Sequence, residues 1–394
     1  MGYGYRMLRT DNARRSAMAD EFTEISKTGW GGNIKNALVG ALIGILLFFG
    51  SFIVLWRNEG RTNMAKVAAK TVIVPADRAE PASDGRAVSL TGELTAAEPL
   101  GDPKFLKPGP YIALERRVEM FAWIEEKETK EKQNTGGSTT RETTYRYKQD
   151  WTGDPDDSKG FRHPDGHANP PLAFGSESFT VPSATIGAYA VDPVAMVLPG
   201  TRRLGLDATL LNVKGGGYAL SGEQLFIGTG TPDAPKIGDV RVSFDVVPSG
   251  IRVTAFGKAE AGALVPYLHR GKDRLYRAIA GTRDEAIAVL AREHTVTGWL
   301  LRLVGFLMMW IGLQALFGPV VAVLNVLPFL GKVGRFVWGF ISFGIALVLS
   351  LAVIVVSMIA HNIWALLVVL AAIVGAFVWL RTRKAKAAPP LPAA

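Results

Sequence analysis

The 394-residue chain carries few groups whose type and spacing suit chemistry. His163-Pro164-Asp165-Gly166-His167 places two imidazoles and a carboxylate in one short segment. These are side chains that zinc accepts as ligands. Pro164 and Gly166 put the segment in a turn, however, and no other histidine lies near it in sequence, so it reads as a pair of solvated loop histidines. Gly215-Gly216-Gly217 and Gly228-Thr229-Gly230 match neither a dinucleotide fingerprint nor a phosphate loop, and read as loop or bulge glycines. The run Glu125-Glu126-Lys127-Glu128-Thr129-Lys130-Glu131-Lys132 mixes signs and reads as solvated surface. No serine or threonine comes with a recognisable base and orienter. The absence of cysteine removes thiol nucleophiles, thiolate metal sites and disulfides. The sequence therefore nominates no catalytic, cofactor-binding or metal-ligating residue, and no cofactor.

The elements around these residues are dominated by lipid-compatible segments. Of the formal net charge of +9, residues 1–36 hold +2 and residues 298–394 hold +7, so 37–297 is neutral. The positive charge flanks apolar runs and does not form a groove for nucleic acid. Residues 37–56 include Leu38–Trp56, charge-free and long enough to cross about 30 Å of hydrocarbon. Trp56-Arg57-Asn58-Glu59 follows where a signal peptide would need small residues, so the segment reads as an uncleaved anchor. Residues 298–380 divide into spans near Trp299–Phe317, Phe336–Ala360 and Ile363–Leu380. Between the first two lie a Pro-bounded interfacial helix near 319–330 and a basic turn Gly331–Arg335, and a tight His361-Asn362 turn precedes the last. Arg6, Arg9, Arg14, Arg15, Lys27 and Lys35 precede the first span, Lys332 and Arg335 occupy one turn, and Arg381, Arg383, Lys384 and Lys386 follow the last. Four spans put all of them on one side, which the positive-inside rule makes cytoplasmic. Residues 1–36 and the Pro/Ala-rich tail 381–394 are then cytoplasmic, and 57–297 is delivered across the membrane.

Within 298–380 there is no Asp or Glu, so coupled transport through an intramembrane carboxylate is disfavoured. Gln314, Asn325, Ser342, Ser350 and Ser357 suit interhelical hydrogen bonds, Arg302 is placed to snorkel, and Gly40 with Gly44 forms a GxxxG helix-packing pattern. Residues 57–297 read as a strand-rich domain. Asp239–Phe256 shows two alternating runs joined by Pro248-Ser249-Gly250, which predicts a hairpin. Val118–Glu125 and Thr143–Trp151 alternate likewise about a solvated tip, Glu125–Glu142, and Ser176–Val181 and Tyr218–Ile227 add strands. Thr282 is placed to cap a helix Arg283–His294, with Glu285 three residues on, leading into the second span. Lys66–Val74 is a further short element.

Several stretches together resemble the LUMA, or transmembrane protein 43, family. They are Asn58-Glu59-Gly60-Arg61, Glu119-Met120-Phe121-Ala122-Trp123-Ile124-Glu125, Thr144-Tyr145-Arg146-Tyr147-Lys148-Gln149-Asp150-Trp151, Gly166-His167-Ala168-Asn169-Pro170, Gly238-Asp239-Val240-Arg241-Val242-Ser243-Phe244 and Leu264-Val265-Pro266. His167 falls within this pattern and His163 outside it. The resemblance implies a multi-pass protein with a large extracytoplasmic or luminal domain, which self-associates and organises membrane-protein complexes. It supplies no catalytic residue. Ala/Arg-rich, cysteine-free composition suggests a bacterial member in an inner membrane with both termini cytoplasmic; a eukaryotic member would belong to the endoplasmic reticulum or inner nuclear membrane. The expectation is an α+β membrane protein, four spans around a β-rich extracytoplasmic domain, acting as a non-enzymatic scaffold. Its partners would be the bilayer, copies of itself and other membrane proteins. The alternatives are a channel or channel regulator, and a tethered lipid- or ligand-binding domain or hydrolase.

Overall fold

The computed structural model describes residues 20–213, 218–326, 328–362, 366–368, 371–372, 374–376 and 379. The fold is α+β, and the described chain divides into two compact units. One is strand-rich and holds 20–26, 63–131 and 141–293; the other is largely helical and holds 27–62, 132–140 and the described residues from 294 onward.

The strands used below are β1 (Asp20–Thr28), β2 (Ala87–Ala96), β3 (Tyr111–Gln133), β4 (Thr139–Thr152), β5 (Tyr218–Ser221), β6 (Gln224–Ile227), β7 (Val240–Pro248), β8 (Ile251–Glu260) and β9 (Arg277–Ala280). One sheet runs β1-β4-β3-β7-β6-β5, with Glu177–Thr180 on β3 and Arg202–Arg203 on β7. The other pairs β8 with β2 and β9, and extends through shorter strands to Val72–Ile73. Alternation explains β3: Ile112, Leu114, Val118, Met120 and Ala122 all point inward and are buried. Arg116 occupies an inward position of the same row. It is held there by Asp102 at 2.5 Å, Glu177 at 2.8 Å and the Gly175 carbonyl, with its guanidinium near the rings of Phe105 and Phe179. A buried cation with every side committed is an internal support.

Two expectations are corrected here. Asp239–Phe256 does form two strands, β7 and β8, but they do not pair. β7 is bonded to β3 and β6, β8 to β2 and β9, and the turn at Ser249-Gly250 carries the chain from one sheet to the other. Both strands are buried at nearly every position, as central strands of packed sheets are, whereas a hairpin with one solvated face would show alternation. Gly250 takes φ +83°, and the Ser249 and Gly250 amides donate to Pro110 and Leu94 of other segments. Secondly, the charged stretch Glu125–Glu142 is mostly strand, with the turn confined to Asn134–Ser138. Its charges pair across the ladder, Glu131 with Arg141 at 2.6 Å, Glu126 with Lys148 at 2.7 Å and Glu128 with Arg146 at 3.2 Å. β1 precedes the first apolar helix, and its neighbour in the sheet is β4, which follows that helix.

The helices are α1 (Trp30–Glu59), α2 (Met64–Ala69), α3 (Arg283–Leu316), α4 (Gly318–Leu324) and α5 (Pro328–Ala360). Among the described residues, three helices are long and apolar enough to cross a membrane, the one beginning at Trp30, α3, and Val333–Ala360 within α5. The span expected at Ile363–Leu380 lies mostly outside the described residues, as do Gly215-Gly216-Gly217 and both termini. α3 joins the expected capped helix and second span into one element. Its capping box forms: Glu285 Oε2 accepts from the Thr282 amide at 2.8 Å and from the Thr282 hydroxyl at 2.9 Å. That bonding holds the Glu285 carboxyl below its ordinary range. The basic turn Gly331–Arg335 is instead the start of α5, because Pro328 stands at the first helical position, where its missing N–H costs nothing.

In the helical unit the buried residues of α1 are Gly44, Ser51, Leu55 and Asn58, and three of these lie seven apart. Gly298, Gly305 and Gly312 of α3 repeat at the same interval. A sevenfold repeat keeps one seam facing a neighbour. A Cβ on Gly44 would fall 2.8 Å from Ala315 Cβ and 2.9 Å from the Gly312 carbonyl, whereas one on Gly40 would meet nothing within 4 Å. The GxxxG pattern thus serves packing of α1 on α3 within the chain, through Gly44 alone. Leu55, Met309 and Ala346 close the core of this unit.

Candidate functional site

A polar cluster of the helical unit sits where α1 ends, and the residues Asn58-Glu59-Gly60-Arg61 build it. The last turn of α1 carries Glu59 toward α3, where Arg302 holds it with two parallel bonds of 2.8 Å, one to each carboxylate oxygen. The Glu59 side chain is 7% exposed and that of Arg302 26%, and the guanidinium also lies 5.0 Å from the Trp299 ring centre. Asn58 donates to Glu59 at 3.2 Å and to the Gly298 carbonyl at 3.1 Å, and accepts from Arg61 Nε at 3.0 Å. Arg61 donates in turn to the His294 carbonyl at 3.0 Å. Gly60 is needed because a Cβ there would fall 2.5 Å from His361 Nε2. His361 Nδ1 donates to the Ser357 carbonyl at 2.8 Å, and Ser357 Oγ to the Trp56 carbonyl at 3.0 Å. The node therefore ties α1 to α3 and to α5.

Such an arrangement is a clamp and not a relay. A carboxylate facing a bidentate guanidinium and an amide has both oxygens engaged. Arg302, expected to snorkel, instead finds a partner 243 residues away in sequence. Two charges without local partners, one just after a span and one inside another, were the available signal. Of the other polar span residues, Ser350 bonds Met309 across helices and Ser357 bonds α1, while Ser51 and Ser342 turn back onto Phe48 and Gly339 of their own helices. Asn325 is buried, and its Oδ1 has no partner among the described residues.

In the strand-rich unit, His163 and His167 are not the solvated pair expected. His167 is 1% exposed, stacked on Tyr147 at 4.0 Å with Trp123 edge-on at 4.8 Å; His163 is half-buried and stacked on Phe22 of β1 at 4.2 Å. The turn itself is present, and His167 Nδ1 donates across it to the His163 carbonyl at 2.9 Å. Tyr147 donates to Glu125 and accepts from the His163 amide, and Glu125 also accepts from the Arg162 amide at 2.6 Å. Burial first, and the Glu125 carboxylate second, raise the Tyr147 hydroxyl above its ordinary pKa. Among the described residues no three His, Asp or Glu side chains gather as a metal-binding group. Gly228-Thr229-Gly230 is a loop, as expected, and it wraps Asp239. The Thr229 amide donates to Oδ1 at 2.9 Å, and the Gly230 and Lys236 amides to Oδ2 at 3.1 and 2.7 Å. A Cβ on Gly228 would strike that carboxylate. Asn169 docks by both ends of its amide on the Trp123 backbone, at 2.8 and 2.9 Å.

These supports coincide with the stretches that carried the family resemblance: Asn58–Arg61, Trp123, Tyr147, His167 with Asn169, and Asp239. The profile of the family described as transmembrane protein 43 matches residues 120–363. Transmembrane protein 43 of Rattus norvegicus is 28% identical over 70% of this chain and 72% of its own length, and that of Homo sapiens 27% over 73% and 76%. A transmembrane protein 43 homolog of Drosophila melanogaster is 28% identical over 69% of this chain and 75% of its own length. No solved structure gives a significant match. The family profile covers more than half of the chain, and the chain belongs to the transmembrane protein 43 family.

Proposed function

We propose that this protein is a non-enzymatic membrane scaffold that self-associates through its strand-rich unit. The supporting observation is β1. It ends its sheet, has β4 on one side, and presents its other edge unpaired among the described residues. At nine residues it is longer than the other terminal strands β5, β9 and Val72–Ile73. An unpaired edge of that length is a template for a second strand, and two copies related by a twofold axis would join their sheets. Ile25 on β1 is 48% exposed. The polar groups of the helix-end node bond one another, which suits a fixed platform better than a transport path.

The test uses the natural absence of cysteine. Single cysteines at Ile25, Ser26 and Lys27 should give a reducible dimer on mild oxidation in native membranes, and a cysteine at Leu220 on the far edge strand should not. Failure at all three β1 positions would sink the reading. Buried Asn325, whose Oδ1 has no partner among the described residues, favours a second reading as a channel or channel regulator. Ion flux in proteoliposomes that disappears in Asn325→Leu would support it.

A further inference from the structure

Along the helical unit, α1 and α5 leave an apolar groove of about 660 Å³. Phe52, Ile53 and Trp56 of α1 face Leu349, Val353 and Val356 of α5 across it. Its rims are open, with Ile53, Trp56 and Val356 at 61%, 43% and 56% exposure. Both helices are long and apolar enough to be membrane spans, so the groove belongs to a surface suited to hydrocarbon. At one end stands Arg57, the single charged side chain of the lining among the described residues.

Among the described residues Arg57 has no ion-pair or hydrogen-bond partner. Its nearest carboxylate in sequence, Glu59, is taken by Arg302 and Asn58, and Arg61 is committed to Asn58 and His294. It also stands at the end of α1 opposite Lys35, so it adds nothing to the basic cluster there. A guanidinium at the mouth of an apolar slot, beside a tryptophan of the kind enriched at the headgroup level, has donors for a phosphate and room below for hydrocarbon. We infer that the groove is a site for an anionic phospholipid, with an acyl chain between α1 and α5 and the phosphate on Arg57. A zwitterionic lipid brings its own cation toward Arg57 and is disfavoured. Seated there, the lipid covers the seam that the Ser357–Trp56 bond closes from within.

The experiment takes the full-length chain, delipidated in detergent, and titrates it with phosphatidylglycerol and phosphatidylcholine of identical acyl chains, counting bound lipid by native mass spectrometry. Phosphatidylglycerol should bind about tenfold more tightly, the scale of one charge-assisted contact. Arg57→Gln should reduce it to the phosphatidylcholine level. Ala352 of α5 also lines the groove, and Ala352→Phe, which fills the slot without touching charge, should weaken both lipids. Equal binding of the two lipids by the natural chain, or a preference that survives Arg57→Gln, would overturn the assignment. Helical circular dichroism verifies each variant; should Ala352→Phe fail to fold, the Arg57→Gln comparison decides alone.

Discussion

Replacing Arg302 with Met keeps an unbranched apolar stem, removes the guanidinium and its charge, and leaves the Glu59 carboxylate with the Asn58 amide. At 2.8 Å and an effective dielectric of about 20, the pair attracts by about 6 kcal/mol. Desolvation costs several kcal/mol per ion, so the intact pair nets little against an apolar substitute. Cutting one side is another matter. Glu59 is 7% exposed on a short stem and cannot reach water, so Arg302→Met should cost about 3 kcal/mol, the lower end for a buried pair because Arg302 itself is 26% exposed. Glu59→Gln should cost only about 1 kcal/mol, since the freed guanidinium keeps its place near Trp299 and can extend toward water. The double variant should fall between them, giving a coupling of about 2 kcal/mol. Detergent-induced unfolding in mixed micelles, followed by helical circular dichroism, measures all four corners of the cycle. Equal effects of the two single changes, or both under about 0.5 kcal/mol, would refute the clamp and make the pair a solvated surface contact.

Three further outcomes follow. Gly44→Ala should destabilise the helical unit by about 1–3 kcal/mol, because backbone of α3 blocks the new methyl, while Gly40→Ala should be neutral or stabilising by up to about 1 kcal/mol; the same unfolding assay separates them. Asp239→Asn turns a donor toward amides that need an acceptor and should cost about 2–3 kcal/mol in thermal unfolding of the β signal. The raised pKa of Tyr147 favours its neutral form in the folded state. Its contribution is complete below the ordinary tyrosine value of 10.0 and is lost as pH rises through the folded value, so Tyr147 should ionise late in an absorbance titration and Tyr147→Phe should remove that late step.

The sequence showed elements better than partners. Period-two alternation located β7 and β8, but it carries no record of which strand lies alongside, so a short turn between them was read as a hairpin when it joins two sheets. Charge alternation in Glu125–Lys132 was read as loop because solvated strands look polar on both faces. Capping chemistry is local, and Thr282 with Glu285 was legible for that reason. The clamp was not, because Glu59 and Arg302 meet only after the chain has closed a long loop. The sevenfold spacing of Gly44, Ser51 and Asn58, and of Gly298, Gly305 and Gly312, was present in the sequence and needed only the right period. His167 reads as surface by its neighbours Pro164 and Gly166, and it is buried because Tyr147 and Trp123, from β4 and β3, supply the faces that cover it.

The most direct test of self-association through β1 is the mass of the protein in nanodiscs cut from native membranes without prior detergent. The scaffold reading predicts a discrete dimer or a multiple of it, with any envelope partner at fixed stoichiometry. A lone monomer at native abundance would contradict it.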